Sequence, residues 1–159
     1  MLYTPFVLTD LLCCHAKEAG SFLASIARTH SNSNRSIAFI AGGETIVQLT
    51  GSGKGGRNQE LVVSAVPGIA DLDNVVIFSV GSDGTDGPTD AAGGIVDGKT
   101  YKKLVNHGLS IHQILENNDA YTALSKVDGL LFTGPTGTNV NDISVVLIRP
   151  ASLQRMVPM

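Results

Sequence analysis

Tryptophan is absent, aromatic residues make up 5% of the chain, and only 16% of its residues are charged. Cysteine occurs twice, as the adjacent Cys13 and Cys14, and lysine plus arginine number 11 against 14 acidic residues. Each shortage closes off a class of protein. Adjacent thiols rarely pair, and no CxxC or His-spaced pattern accompanies them, which excludes a disulfide framework and a structural zinc module. The formal charge is −3, and no basic stripe with interleaved aromatics argues for a nucleic-acid partner. No apolar run approaches the roughly 18 residues of a membrane span. The N-terminus MLYTPFVLTDLL lacks a basic region and carries Asp10, unlike a secretory signal. These absences predict a soluble cytoplasmic protein, with organelle import left open.

What is present is 159 residues, 43% hydrophobic, with 18 glycines. That length suits one domain with a core of its own. Spacings of three and four predict a helix over 14–30. SIAFIA at 36–41 reads as a buried strand, and TIVQLT at 45–50 alternates as a second one. Only a tight turn fits between them, so an antiparallel pair is expected. A helix is expected over 57–66, ended by Pro67-Gly68, and NVVIFSV at 74–80 is the clearest strand. A short strand at 94–97 and a helix near 99–107, stopped by Gly108, follow. Ser110 with Gln113 spells a capping box for a helix through Glu116, and Asp119 is placed to cap another to Lys126. Strands at 130–134 and 143–149 close the domain, and 151–159 reads as a loosely held tail. Alternating strands and helices predict an α/β fold, a mixed sheet packed with helices in a single domain over 1–150.

Three glycine-rich loops interrupt this pattern. The first, GSGKGG at 51–56, spells G-x-G-x-x-G between a strand and a helix. The dinucleotide reading fails, since Asp71 and Asp73 precede the next strand instead of ending it. It is not a P-loop either, because no GK[ST] closes it. The loop still presents Lys54, Gly55, Gly56 and Arg57 at a helix N-terminus, where unpaired N–H groups and the dipole attract anions. A plain flexible connection is the competing reading. Asn58, Gln59 and Glu60 follow, placed either to cap the helix or to reach a ligand.

The second loop, GSDGTDGPTDAAGG at 81–94, sets Asp83, Asp86 and Asp90 among Ser82, Thr85 and Thr89 at a strand's C-terminal end. Carboxylates there suit proton acceptance in phosphoryl transfer or Mg²⁺ binding; Asx-turns are the alternative. The third, GPTGTNVND at 134–142, offers Thr138, Asn139 and Asn141 to a phosphate, a nucleotide or a polyol. Glu44 after Gly42-Gly43 is a further polar candidate. His15, His30, His107 and His112 do not cluster, and ENNDAY at 116–121 reads as two helix ends meeting.

Together, GGETIVQLTGSGKGGRNQE, GSDGTDGPTDAAGG and GPTGTNVND resemble the C-terminal domain, called MOFRL, of the 2-phosphoglycerate-forming glycerate kinases. Some members of that family carry the name hydroxypyruvate reductase. The resemblance runs over about residues 6–149. It implies phosphoryl transfer from ATP, with Mg²⁺, to the 2-hydroxyl of glycerate, in a cleft shared with a larger N-terminal Rossmann-like domain. By motif, Arg57 would bind and polarise a substrate carboxylate or phosphate, and Asp83 would be base or metal partner. Lys54, Gly55, Gly56, Asn58, Glu60, Thr85, Asp86, Thr138, Asn139 and Asn141 would line substrate or phosphate, with Asp86 and Asp90 toward metal. With the N-terminal domain outside this sequence, the chain is expected to be inactive alone and to rely on that domain or on self-association. A nicotinamide-dependent reductase and a non-catalytic assembly module are the alternatives.

Overall fold

The computed structural model describes residues 2–150, so the tail expected at 151–159 lies outside the described residues. Six strands and five helices follow one another as β1 (Thr4–Leu12), α1 (Ala16–His30), β2 (Ile37–Gly43), α2 (Arg57–Ile69), β3 (Val75–Gly81), β4 (Gly93–Asp97), α3 (Thr100–Asn106), α4 (Ile111–Glu116), α5 (Ala120–Ser125), β5 (Leu130–Leu131) and β6 (Asp142–Ile148). The strands form one sheet in the order β1-β2-β6-β3-β4-β5. β1 runs parallel to β2, and every other pairing is antiparallel. The fold is therefore α/β with a mixed sheet, as the alternating elements predict.

Register explains where the core ends and chemistry begins. Phe39, Val146, Ile77 and Val96 are cross-strand partners in one row, and all are buried in the apolar cluster beneath α1 and α2. One step along, the row is Ala41, Ser144, Ser79 and Gly94, and one further it is Gly43, Asp142 and Gly81. Side chains two residues apart share a face, so one sheet face passes from hydrocarbon through hydroxyls to a carboxylate.

The helices cover that face. α1 buries Ala16, Ala19, Gly20, Leu23, Ala24 and Ala27. A Cβ on Gly20 would strike the Leu61 carbonyl, so a stripe of small residues lets α1 approach α2 closely. α2 is buried from Asn58 to Val66 on nearly all sides, since α1, α4, α5 and the sheet surround it. It runs past the expected stop at 66, carrying Pro67 in its last turns. The Arg28 guanidinium donates to the Gly68 carbonyl at 3.0 and 2.6 Å, answering an acceptor the helix end leaves open.

Three expectations are corrected. The 45–50 segment is no strand: Glu44 N–H donates to Leu12 O at 2.7 Å, and Ile46 makes an isolated parallel bridge with His15. The second neighbour of β2 is β6, so no hairpin forms. The alternation at 45–50 does not track burial: polar Thr45 is buried, while apolar Ile46 and Leu49 face solvent. β1 is a strand the sequence does not announce, because it is an edge with exposed side chains nearly throughout. Ser110 and Asp119 do begin α4 and α5, but neither side chain caps a helix N–H.

Candidate functional site

The row Gly43–Asp142–Gly81 lies behind Arg57, at the end of the sheet. Glycines on both sides leave the Asp142 carboxylate room, and Arg57, the first residue of α2, fills it. Arg57 Nε and Nη2 donate to Asp142 Oδ2 and Oδ1 at 2.5 and 3.1 Å, a two-point grip on a carboxylate that is 7% exposed. Nη1 meets Glu44 Oε1 at 2.7 Å. The hydrogen bond to Asp142 raises the guanidinium pKa further, and Arg57 stays charged. Of its five N–H groups, these contacts engage three.

Asp86 is the second anchor. It is 3% exposed, and its Oδ1 accepts from the Asn58 backbone and side chain at 3.1 and 3.2 Å, while Oδ2 accepts Gln59 N–H at 2.9 Å. The acidic loop thus caps α2 with its own carboxylate, where a ligand anion was expected. Burial pushes Asp86 up to about 6, against the pull of the N–H donors. With both oxygens turned into the protein, Asp86 does not fit a Mg²⁺ ion. Asn58 also faces inward: its Oδ1 accepts Ser79 Oγ, which pairs with Ser144 Oγ at 2.8 Å. It ties α2 to β3 and β6.

The first loop is similarly committed. Asn118, with φ of 53°, accepts Thr50 and Gly51 N–H at 2.7 and 2.9 Å on one oxygen. Its amide donates to Gln48 O at 3.1 Å and to Glu60 Oε2 at 3.2 Å. Ser52 and Gly53 N–H reach Asn117, and Lys54 N–H reaches Asp119 Oδ1 at 3.0 Å. The run at 116–121 is therefore the bed of the glycine loop, beyond two helix ends meeting. Among the described residues, the Gly55 and Gly56 N–H groups make no hydrogen bond to protein. The Lys54 ammonium lies 4.0 Å from the centre of the Tyr121 ring, whose hydroxyl donates to Asp90 Oδ1 at 2.7 Å. That bond lowers the Asp90 pKa and engages one of its two carboxylate oxygens. No group of three histidine, cysteine or acidic side chains among the described residues could hold a metal ion.

Asp83 is half-buried and bonded locally: Oδ1 accepts Thr85 N–H and Oγ1 at 2.9 and 3.1 Å, and the backbone bond holds its pKa below the ordinary value. The third loop folds over it. Thr136 N–H reaches Asp83 O at 3.3 Å, and Ser82 Oγ accepts Val140 N–H at 2.7 Å.

These pieces surround an open cavity of about 770 Å³. Of the sequence candidates, Gly55, Gly56, Arg57, Glu60, Asp83, Thr85, Asp86 and Asn139 line it, together with Glu44, Ile46, Val47 and Leu49. Burial raises the Glu60 pKa at its base. Lys54, Asn58, Asp90, Thr138 and Asn141 do not line it. Sequence reasoning missed Asp142 and Asn118. The signal for Asp142 was present, since it closes the polar loop and opens β6; Asn118 sits in a run that looked merely connective.

The described residues contain no helix long and apolar enough to cross a membrane. A D-glycerate 2-kinase of Thermotoga maritima is 52% identical over 89% of this chain and 35% of its own length. A glycerate 2-kinase of Pyrococcus horikoshii is 46% identical over 92% and 34%. The crystal structure of a Thermotoga maritima glycerate kinase superposes with a TM-score of 0.87 at 49% identity, covering 92% of this chain and 36% of that one. The chain spans about a third of the length of these relatives. With the MOFRL family model matching residues 37–142, the chain belongs to the MOFRL family.

Proposed function

We propose that this chain forms one wall of a glycerate kinase active site, which passes a phosphoryl group from ATP to the 2-hydroxyl of glycerate. The observation that carries the reading is Arg57, a guanidinium gripped from behind by Asp142 and opening onto a cavity beside the uncommitted Gly55 and Gly56 N–H groups. Such an arrangement suits a carboxylate or phosphate oxygen. Asp83, ionised at neutral pH, is placed to accept the hydrogen bond of a substrate hydroxyl and to take its proton late in transfer. Catalysis of this kind rests on positioning and charge.

The charge balance supports a shared site. Arg57 is the sole lysine or arginine among the described cavity residues, against the carboxylates of Glu44, Glu60, Asp83 and Asp86. Nucleotide and substrate together bring several negative charges, so the reading assigns the remaining cations to the part of the relatives that this chain does not span. Mg²⁺ does not fit Asp86, both of whose oxygens accept hydrogen bonds from the start of α2.

A reductase reading has less support. The loop spelling G-x-G-x-x-G gives its N–H groups at 51, 53 and 54 to residues 117–119, so the first two glycines of that spelling have no N–H free for a pyrophosphate.

Thermal denaturation with ATP, D-glycerate, 2-phosphoglycerate and NADH tests the proposal. A ligand at a hundred times its Kd adds about 2.7 kcal/mol of stability. The phosphate-bearing ligands and glycerate are expected to stabilise the wild-type chain and not Arg57→Ala. Equal effects on both proteins, or stabilisation by NADH alone, refute Arg57 as the anchor.

A further inference from the structure

Arg57 is held by two carboxylates that differ in kind. Asp142 lies in the sheet row between Gly43 and Gly81, 7% exposed, and makes two bonds to the guanidinium. Removing its partner would strand a buried charge, so Asp142 stays. Glu44 is 55% exposed and makes a single contact, to Nη1 at 2.7 Å. A pair of that kind contributes little and is screened by salt.

The backbone beneath Glu44 is fixed while its side chain is not. Gly43 has φ of 141°, and a Cβ there would strike the backbone of Leu12. Glu44 N–H is bonded to Leu12 O at 2.7 Å. The carboxylate can therefore leave Arg57 by rotating its own side chain, with no change in the main chain. It lines the same cavity as Gly55, Gly56 and Asp83.

We propose that Glu44 is an internal stand-in for the ligand's anionic group: it occupies the open side of Arg57 until a carboxylate or phosphate displaces it. This rests on the reading of Arg57 as the anion anchor. A second carboxylate on one guanidinium leaves the cluster with a net negative charge. A third anion therefore cannot join the cluster cheaply and must exchange with the weaker holder. The exchange discriminates by charge. A neutral polyol has nothing to offer Nη1 that matches the carboxylate it would replace. A singly charged carboxylate replaces Glu44 like for like, and a more highly charged phosphate does so more strongly. Glu44 thus sets both the affinity threshold and the preference for anions at this wall.

The test is titration of inorganic phosphate, D-glycerate and glycerol into the chain, in low-salt buffer, followed through the Arg57 Nε–H signal by NMR. The proteins are wild type, Glu44→Gln, Glu44→Ala and Arg57→Ala, the last followed through the backbone signals of Gly55 and Gly56. Both Glu44 variants should bind phosphate and glycerate about fivefold more tightly than wild type, a factor equivalent to about 1 kcal/mol. Glycerol should be unaffected. Glu44 is exposed and both variants should melt with the wild type, so a change in affinity reads the exchange itself. Equal or weaker anion binding in the Glu44 variants, with Arg57→Ala silent, overturns the stand-in role alone. Binding to Arg57→Ala as strong as to wild type, or no anion binding by any of the four, overturns the anchor reading and the stand-in together.

Discussion

Replacing Asp86 by asparagine sets two physical effects against each other at a single carboxylate. The Asn58 and Gln59 N–H groups at the start of α2 favour its charged form, both as hydrogen-bond donors and as the positive end of the helix dipole. Burial favours the neutral form, and the nearby Asp142 charge adds to that. Burial wins, so that Asp86 titrates at about 6 instead of its ordinary 3.8. The native chain therefore binds more protons than the unfolded chain between these values, and stability contributed by this group is present below about pH 4 and lost as pH rises through about 6. At about 1.36 kcal/mol per pH unit, the whole interval corresponds to about 3 kcal/mol, of which about 2 falls between pH 4 and 7. The asparagine of the variant cannot titrate, and its amide turns a donor toward N–H groups that want an acceptor, costing about 1–3 kcal/mol. Urea denaturation of both proteins at pH 4, 5, 6 and 7 isolates the term, because every other group cancels in the difference. Wild type should be the more stable at pH 4, and its advantage should shrink by about 2 kcal/mol by pH 7. An advantage that is constant, or that widens with pH, refutes the reasoning: the N–H donors would then outweigh burial, and the carboxylate would titrate at or below its usual range.

Two other perturbations test how the glycine loops are held. Asn118→Ala removes four hydrogen bonds to the 48–51 segment and Glu60 and puts alanine at φ of 53°, so it should cost about 3 kcal/mol or more in denaturant unfolding; Asn118→Gly should recover only the backbone part of that loss, about 1 kcal/mol. Gly43→Ala should cost at least about 2 kcal/mol, through positive φ and collision with Leu12, and should speed hydrogen exchange at Glu44 N–H, whose acceptor is Leu12 O.

How much of this was legible in the sequence follows from how local each feature is. β2, β3 and β6 show as short apolar runs because their own residues decide their burial. The three loops show because glycine, aspartate and asparagine mark turns whatever surrounds them. β1 does not show, since an edge strand with exposed side chains carries no inside–outside alternation, and its evidence is backbone pairing with β2. The 45–50 segment misleads for the opposite reason: it alternates like a strand, yet its apolar Ile46 and Leu49 face solvent and only an isolated bridge from Ile46 to His15 ties it to the sheet's edge.

Pairing of donors with acceptors was the part no local pattern could supply. Arg57 and Asp142 are 85 residues apart, Asn58 and Asp86 28, and Thr50 and Asn118 68. The sequence shows a helix start rich in N–H groups and a loop rich in carboxylates, both expected to face ligands, with a flexible connection and Asx-turns as the competing readings. In the structure the loops largely satisfy one another: Asp86 takes the head of α2, Asn117–Asp119 take residues 50–54, and Tyr121 takes both Lys54 and Asp90. Where these polar groups are buried, as at Asp86, Asn58 and Asn118, lacking a partner would cost about 1–3 kcal/mol each, which their mutual pairing avoids. Its consequence is selective. Among the donors left to the cavity's lining residues are the Gly55 and Gly56 N–H groups and the free side of one guanidinium, itself shielded by an exposed carboxylate. On the proposed reading, a wall so rich in carboxylates and with a single arginine fixes the position of one anionic group and leaves the bulk of a polyphosphate's charge to be met from outside it.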